Sequence, residues 1–249
     1  MMNSQHIIAH LIELRKRLLH SVIALVLVFV CLFPWASDLY ALLAQPLLAK
    51  LPQGGQMIAT DVTTPFFVPM KVALMSAFLI SLPYILFQIW SFVAPGLYTH
   101  EKRWVAPLVI ASSILFLCGM AFAYFAVFPM VFAFITASAP HGVAVMTDID
   151  KYLSFVLTMF LAFGVTFQVP VAVVAMVKMG FISVDKLRHI RRYVIVGAFI
   201  VAAIMTPPDV VSQFMLALPL WLLYEVGIWV AVWVSRKPQV STSEVEKIE

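Results

Sequence analysis

Glu13 lies in the run His10-Leu11-Ile12-Glu13-Leu14-Arg15-Lys16-Arg17, and Glu101 in the run Tyr98-Thr99-His100-Glu101-Lys102-Arg103, so each carboxylate is hemmed by cations. Such an acid has an ordinary use. Paired with Arg17 at i+4 or Lys16 at i+3, Glu13 would add only about 0.2–0.5 kcal/mol to a helix, and Glu101 would be a solvated turn charge. The chemistry that would need both is recognition of paired guanidinium groups, because each planar fork donates charge-assisted hydrogen bonds to a carboxylate where basic neighbours repel other cations. Three more polar groups stand out inside or beside apolar runs. Gln168 precedes Pro170, where its amide either satisfies a carbonyl freed by the proline or meets a partner. Glu225 is an acid within the last apolar run, and an arginine of the preceding basic loop is its natural counter-ion. Asp209 stands before Val210, where a carboxylate suits a helix N-terminus.

The elements that position these groups follow from composition. With 63% hydrophobic and 11% charged residues in 249, the chain has far more apolar surface than a soluble core of this size needs. Its apolar runs are continuous rather than alternating, and backbone amides unpaired in hydrocarbon are costly, so the spans are helices and not barrel strands. Six segments emerge: Leu18 to Ala36, Phe66 to Val93, Val105 to Ile135, Tyr152 to Val177, Val194 to Met205 and Val210 to Val234. The first follows Arg15, Lys16 and Arg17 and resembles a secretory signal, but it is long enough to span and reads as a retained helix.

Thirteen of the 16 lysines and arginines fall before the first segment, between the second and third, from Lys178 to Arg192, or in the C-terminal tail. The positive-inside rule therefore places both termini in the cytoplasm, and Glu13 and Glu101 with them. Between the first two segments, the outer loop Ser37 to Pro65 contains Asp38 to Leu48, whose spaced apolar residues suit an interfacial helix. Residues 1–237 form the expected membrane domain, and the polar residues 238–249 a disordered tail.

Two features suggest an irregular bundle. The fifth segment has about twelve apolar residues, or about 18 Å of helix against about 30 Å of hydrocarbon, so either it borrows its flanks or the bilayer thins around it. Pro83, Pro129, Pro170 and Pro219 lie well inside helices, where each removes a donor and favours a kink. Together they predict an all-α scaffold of six bent spans with a concave wall.

Other function classes find little support. No phosphate-binding glycine loop, zinc-binding histidine pair, nucleophile elbow or cysteine cluster occurs, and Cys31 and Cys118 read as filler in apolar runs. Nothing requires a cofactor, a metal or a nucleic acid, and the six histidines lie in loops or membrane flanks rather than as paired haem ligands. The span centres carry no chain of carboxylates, so a solute carrier with a site at Gln168 and Glu225 is the secondary reading. Trp90, Trp104, Trp221, Trp229 and Trp233 read as interface anchors or packing.

The runs His10 to Arg15, Ser91-Phe92-Val93-Ala94-Pro95-Gly96-Leu97 with Glu101, Phe122-Ala123-Tyr124-Phe125 with Phe128-Pro129, and Thr206-Pro207-Pro208-Asp209 closely resemble the TatC family, in order and on matching segments. The resemblance covers nearly the whole chain to about Lys237. It implies a non-enzymatic, glove-shaped six-helix core in the bacterial inner membrane. Such a core recognises twin-arginine signal peptides, assembles with TatA, TatB and other copies of itself, and exports folded proteins on the protonmotive force. Its signal-peptide residues fall on Glu13 and Glu101, supported by Arg15 and Phe92, and further family positions on Pro46, Pro83, Tyr124 and Asp209. This chain departs from the resemblance at Gln168, where many members carry a glutamate.

Overall fold

The computed structural model describes residues 2–48, 57–93, 105–131, 147–205 and 210–235. Helix α1 (Met2–Leu32) passes through a short 3-10 turn, Phe33–Trp35, into α2 (Ala36–Leu48). Strand β1 (Met57–Ile58), α3 (Thr64–Val93) and α4 (Val105–Phe122) follow, and α4 runs on through a π-helical turn, Ala123–Val127, to residue 131. After β2 (Thr147–Asp148) come α5 (Ile149–Thr166), α6 (Val169–Lys178), α7 (Val184–Met205) and α8 (Val210–Ser235). The protein is thus all-helical and multi-pass, and among the described residues five helical stretches are long and apolar enough to cross a membrane: Ile8–Leu43, Thr64–Val93, Val105–Val131, Ile149–Lys178 and Leu216–Val234. Large apolar side chains such as Leu18, Leu27, Ile110 and Trp233 are exposed on these stretches, as lipid-facing residues must be, and Cys31 and Cys118 are exposed with them.

Residues 1–168 make one compact unit, in which α3 packs against α1, α2, α4 and α5. Among the described residues its core includes two centres. Val68, Val72 and Leu153 collect Leu39, Tyr40 and Leu43 of α2, so the helix expected over Asp38 to Leu48 exists and packs its apolar side onto α3 and α5. Leu82, Leu86 and Phe116 form the other centre with Phe78, Trp90 and Met120. Near the first centre, β1 and β2 pair in parallel, Met57 with Thr147 and Ile58 with Asp148. Asp148 caps α5 by accepting from the amides of Asp150 (2.8 Å) and Lys151 (3.1 Å), and it also accepts from the Thr60 hydroxyl. Those bonds, the Thr60 hydroxyl first, hold its carboxyl below the usual carboxylate range. This cap is therefore intact above the ordinary carboxylate pKa and is lost only as pH falls through the lower folded value. Beside it, Lys71 Nζ on α3 donates to Asp150 Oδ1 (2.6 Å) and Ser154 Oγ (3.1 Å), which ties α3 to α5.

The second unit, residues 169–249, contains α6, α7 and α8, with Val173, Leu187, Tyr224, Ile228 and Ala231 at its centre. Gly180 adopts φ 72°, and the bond from Phe181 N to Met176 O (3.1 Å) closes the end of α6 in the left-handed manner that glycine allows. The twelve apolar residues of the fifth segment are the C-terminal half of α7, a 22-residue helix about 33 Å long, so this segment borrows its charged N-terminal flank. That flank keeps α7 out of the set of apolar spans.

The prolines lie where the sequence placed them, inside helices, and interrupt them unequally. Helices α3 and α8 continue through Pro83 and Pro219, and α3 also contains Pro69. Pro129 follows the π-turn inside a continuing helix. Of the four, Pro170 alone coincides with an interruption, where the amides of Phe167 and Gln168 tighten onto Phe163 O (2.9 Å) and Val165 O (3.0 Å) between α5 and α6. A missing donor is tolerated in a long helix whose other bonds and neighbours hold it, so proline alone does not dictate a break.

Candidate functional site

On α1, residues 10, 13 and 17 recur at the spacing of one helical face, and that face meets Gln88 and Phe92, one turn apart on α3. The His10 and Phe92 rings stack at 4.3 Å with 16° between planes. One turn further along α1, Glu13 Oε1 accepts from Arg17 Nε (3.0 Å) and Nη2 (2.7 Å), and Arg17 Nη1 reaches Gln88 Oε1 (3.4 Å). The i+4 ion pair open to Glu13 in the sequence is therefore formed, but it is not merely intrahelical, because Arg17 also touches α3. Both side chains remain partly accessible, at 36% for Glu13 and 26% for Arg17. Glu13 Oε2 receives no hydrogen bond from the described residues. A carboxylate with one oxygen engaged and one open, flanked by exposed Arg15 and Lys16, can accept a further guanidinium.

The other named positions separate. Glu101 and Asp209 lie outside the described residues, as does Trp104. Pro46 sits in the second half of α2 and Pro83 is exposed on α3. Tyr124 lies in the π-turn, half-buried, edge-on to Phe125 (4.9 Å) and Phe128 (6.3 Å). The extra residue in such a turn changes which side chains face a neighbour.

Gln168 does not serve the first of its two expected uses. Its Nε2 donates to the Ser112 carbonyl of α4 (2.9 Å), not to a carbonyl freed by Pro170, while Trp90 Nε1 donates to Ser112 Oγ (2.9 Å). Trp90 is thus packing rather than an interface anchor. Gln168 Oε1 is buried without a hydrogen-bond partner among the described residues.

In the second unit, Glu225 of α8 and Arg191 of α7 form a two-point ion pair, Nη2 to Oε2 at 2.8 Å and Nε to Oε1 at 2.5 Å. The basic loop read from the sequence is the first half of α7, and it supplies the arginine foreseen for Glu225. Trp229 and Trp233 are highly exposed, as interface anchors would be.

Gln88, Asp150 and Ser112 gain a role only from the structure, as does the Lys71 ammonium between α3 and α5. A polar residue inside an apolar run was the available signal for Gln88 and Ser112, but only the register between helices shows what each meets.

The sequence profile of the family described as Sec-independent protein translocase protein (TatC) matches residues 9–219. The chain belongs to the TatC family. The Escherichia coli TatC is 54% identical over 227 residues, covering 91% of this chain and 88% of that protein, and the Haemophilus influenzae protein is 53% identical over 92% and 89%. The Aquifex aeolicus TatC is 38% identical over 92% of this chain and 95% of the relative. A crystal structure of the twin-arginine translocase receptor TatC in DDM superposes with a TM-score of 0.80 at 38% identity, covering 89% of this chain and 99% of that one. As a TatC protein the chain is a receptor component of a membrane protein-transport system and not an enzyme.

Proposed function

We propose that this TatC-family chain binds twin-arginine signal peptides through Glu13 and Glu101, with Arg15 and Phe92 in support. On this reading it serves TatA and TatB as a scaffold in the bacterial inner membrane, drives export on the protonmotive force and works alongside further copies of itself. Residues 1–237 act as one membrane domain, 238–249 as a tail, and both termini face the cytoplasm, in keeping with thirteen of 16 cations on that side. The observation that carries the reading is the half-engaged Glu13 carboxylate beside α3, accessible among cations. The carrier alternative is weakened, because Arg191 pairs with Glu225 and the Gln168 amide nitrogen is engaged by Ser112.

The test is equilibrium binding of a fluorescent peptide bearing Arg-Arg to the full chain in nanodiscs. Saturable binding that falls at least tenfold when both arginines become lysines is expected, since an ammonium lacks the planar fork. Equal affinity for the two peptides would refute guanidinium recognition.

Gln168 offers a second test. Gln168→Glu is expected to retain export, because a protonated carboxyl can still donate to Ser112 O, whereas Gln168→Leu cannot and is expected to lower export several-fold. Full export with leucine would reduce Gln168 to helix packing.

A further inference from the structure

The peptide site carries a guanidinium of its own, placed where simple electrostatics would not want it. Arg17 puts two N–H groups on a single oxygen of Glu13 and extends its third nitrogen to Gln88 of the neighbouring helix. Among the described residues this leaves Oε2 of Glu13 open, whereas a competitor blocking the carboxylate would engage both oxygens. A carboxylate has about four lone-pair positions, and two N–H groups use only part of that capacity. Resting on the receptor reading above, we propose that Arg17 and Gln88 are a positioning pair: Arg17, steadied by Gln88, fixes Oε1 of Glu13 so that Oε2 is presented to an arginine of the signal peptide.

The physical ground is preorganisation. An unrestrained glutamate on a helix surface has several rotamers to lose when it binds, and one held at Oε1 has already lost them. The His10–Phe92 stack holds α1 against α3 one turn away, so Gln88 is a fixed reference for Arg17. The opposing effect is repulsion between Arg17 and the incoming guanidinium, which solvent and salt weaken at a partly exposed site. The two effects predict opposite signs. If repulsion or competition dominates, removing Arg17 strengthens binding of a cationic peptide; if positioning dominates, it weakens it.

The experiment measures Arg-Arg peptide affinity by fluorescence anisotropy on the full chain in nanodiscs, for the unmodified protein, Arg17→Met, Arg17→Lys, Gln88→Leu and the Arg17→Met/Gln88→Leu double variant. Arg17→Met is expected to weaken binding about three- to tenfold despite removing a positive charge. Arg17→Lys, which keeps the charge but loses the fork, should fall between. Gln88→Leu, which changes no charge, should weaken binding about two- to threefold, and the double variant should be no weaker than Arg17→Met alone, because Gln88 acts through Arg17. Affinity at or above that of the unmodified protein in Arg17→Met, or additive losses in the double variant, would overturn the positioning pair. Binding by the unmodified protein that ignores Glu13→Gln would overturn the receptor reading and the pair with it. Glu13-dependent binding with a strengthened Arg17→Met variant would remove the pair alone.

Discussion

Glu13→Lys is expected to lower affinity for a twin-arginine peptide at least a hundredfold while leaving folded protein in the membrane. The substitution removes the acceptor and adds a fourth cation to the adjacent Arg15, Lys16 and Arg17, so any ligand guanidinium would meet only repulsion. The cost to stability is small, because a partly exposed ion pair contributes about 0–1 kcal/mol. Glu101→Lys should have the same outcome if both acids contact the peptide. The measurement is peptide binding beside size-exclusion behaviour of the same sample. Unchanged binding by a monodisperse variant would remove that residue from the site.

Gly119→Ala is expected to damage the fold, although it adds one methyl. A Cβ there would lie 2.5 Å from the Phe163 carbonyl oxygen, 2.9 Å from its carbon and 3.0 Å from the Phe167 ring. Backbone cannot swing aside as a side chain can, so α4 and α5 must separate. In hydrocarbon, helices associate chiefly through such close approach of small residues. Gly164 makes the reciprocal contact, its missing Cβ leaving room for the Phe116 ring. Overpacking of this kind costs about 1–3 kcal/mol, and thermal unfolding in detergent should show a transition several degrees lower. Gly197→Ala is the control, because a Cβ there would meet no described residue beyond its own helix backbone within 4 Å and alanine favours helix. Equal melting of the two variants would show that α4 and α5 tolerate separation.

Residue types and their order sufficed for whatever depends on transfer into lipid or on short-range spacing. Continuous apolar runs required helices. The run over Asp38 to Leu48 announced α2, and the i+4 spacing of Glu13 and Arg17 announced their pair. The singular acids Glu13 and Glu225 also stood out, because charge near or inside hydrocarbon is costly unless paired. Contacts between helices were a different matter. Gln88 became meaningful only where α3 lies against α1, and Gln168 turned out to serve the Ser112 carbonyl, 56 residues away. Proline positions marked where helices lose a donor, but not how each responds: α3 and α8 run through theirs, and a π-helical turn at Ala123–Val127 precedes Pro129. The reason is that helix register and rotation are decided by many weak packing contacts acting together, such as Phe116 against Gly164, and no local pattern along the chain encodes that sum.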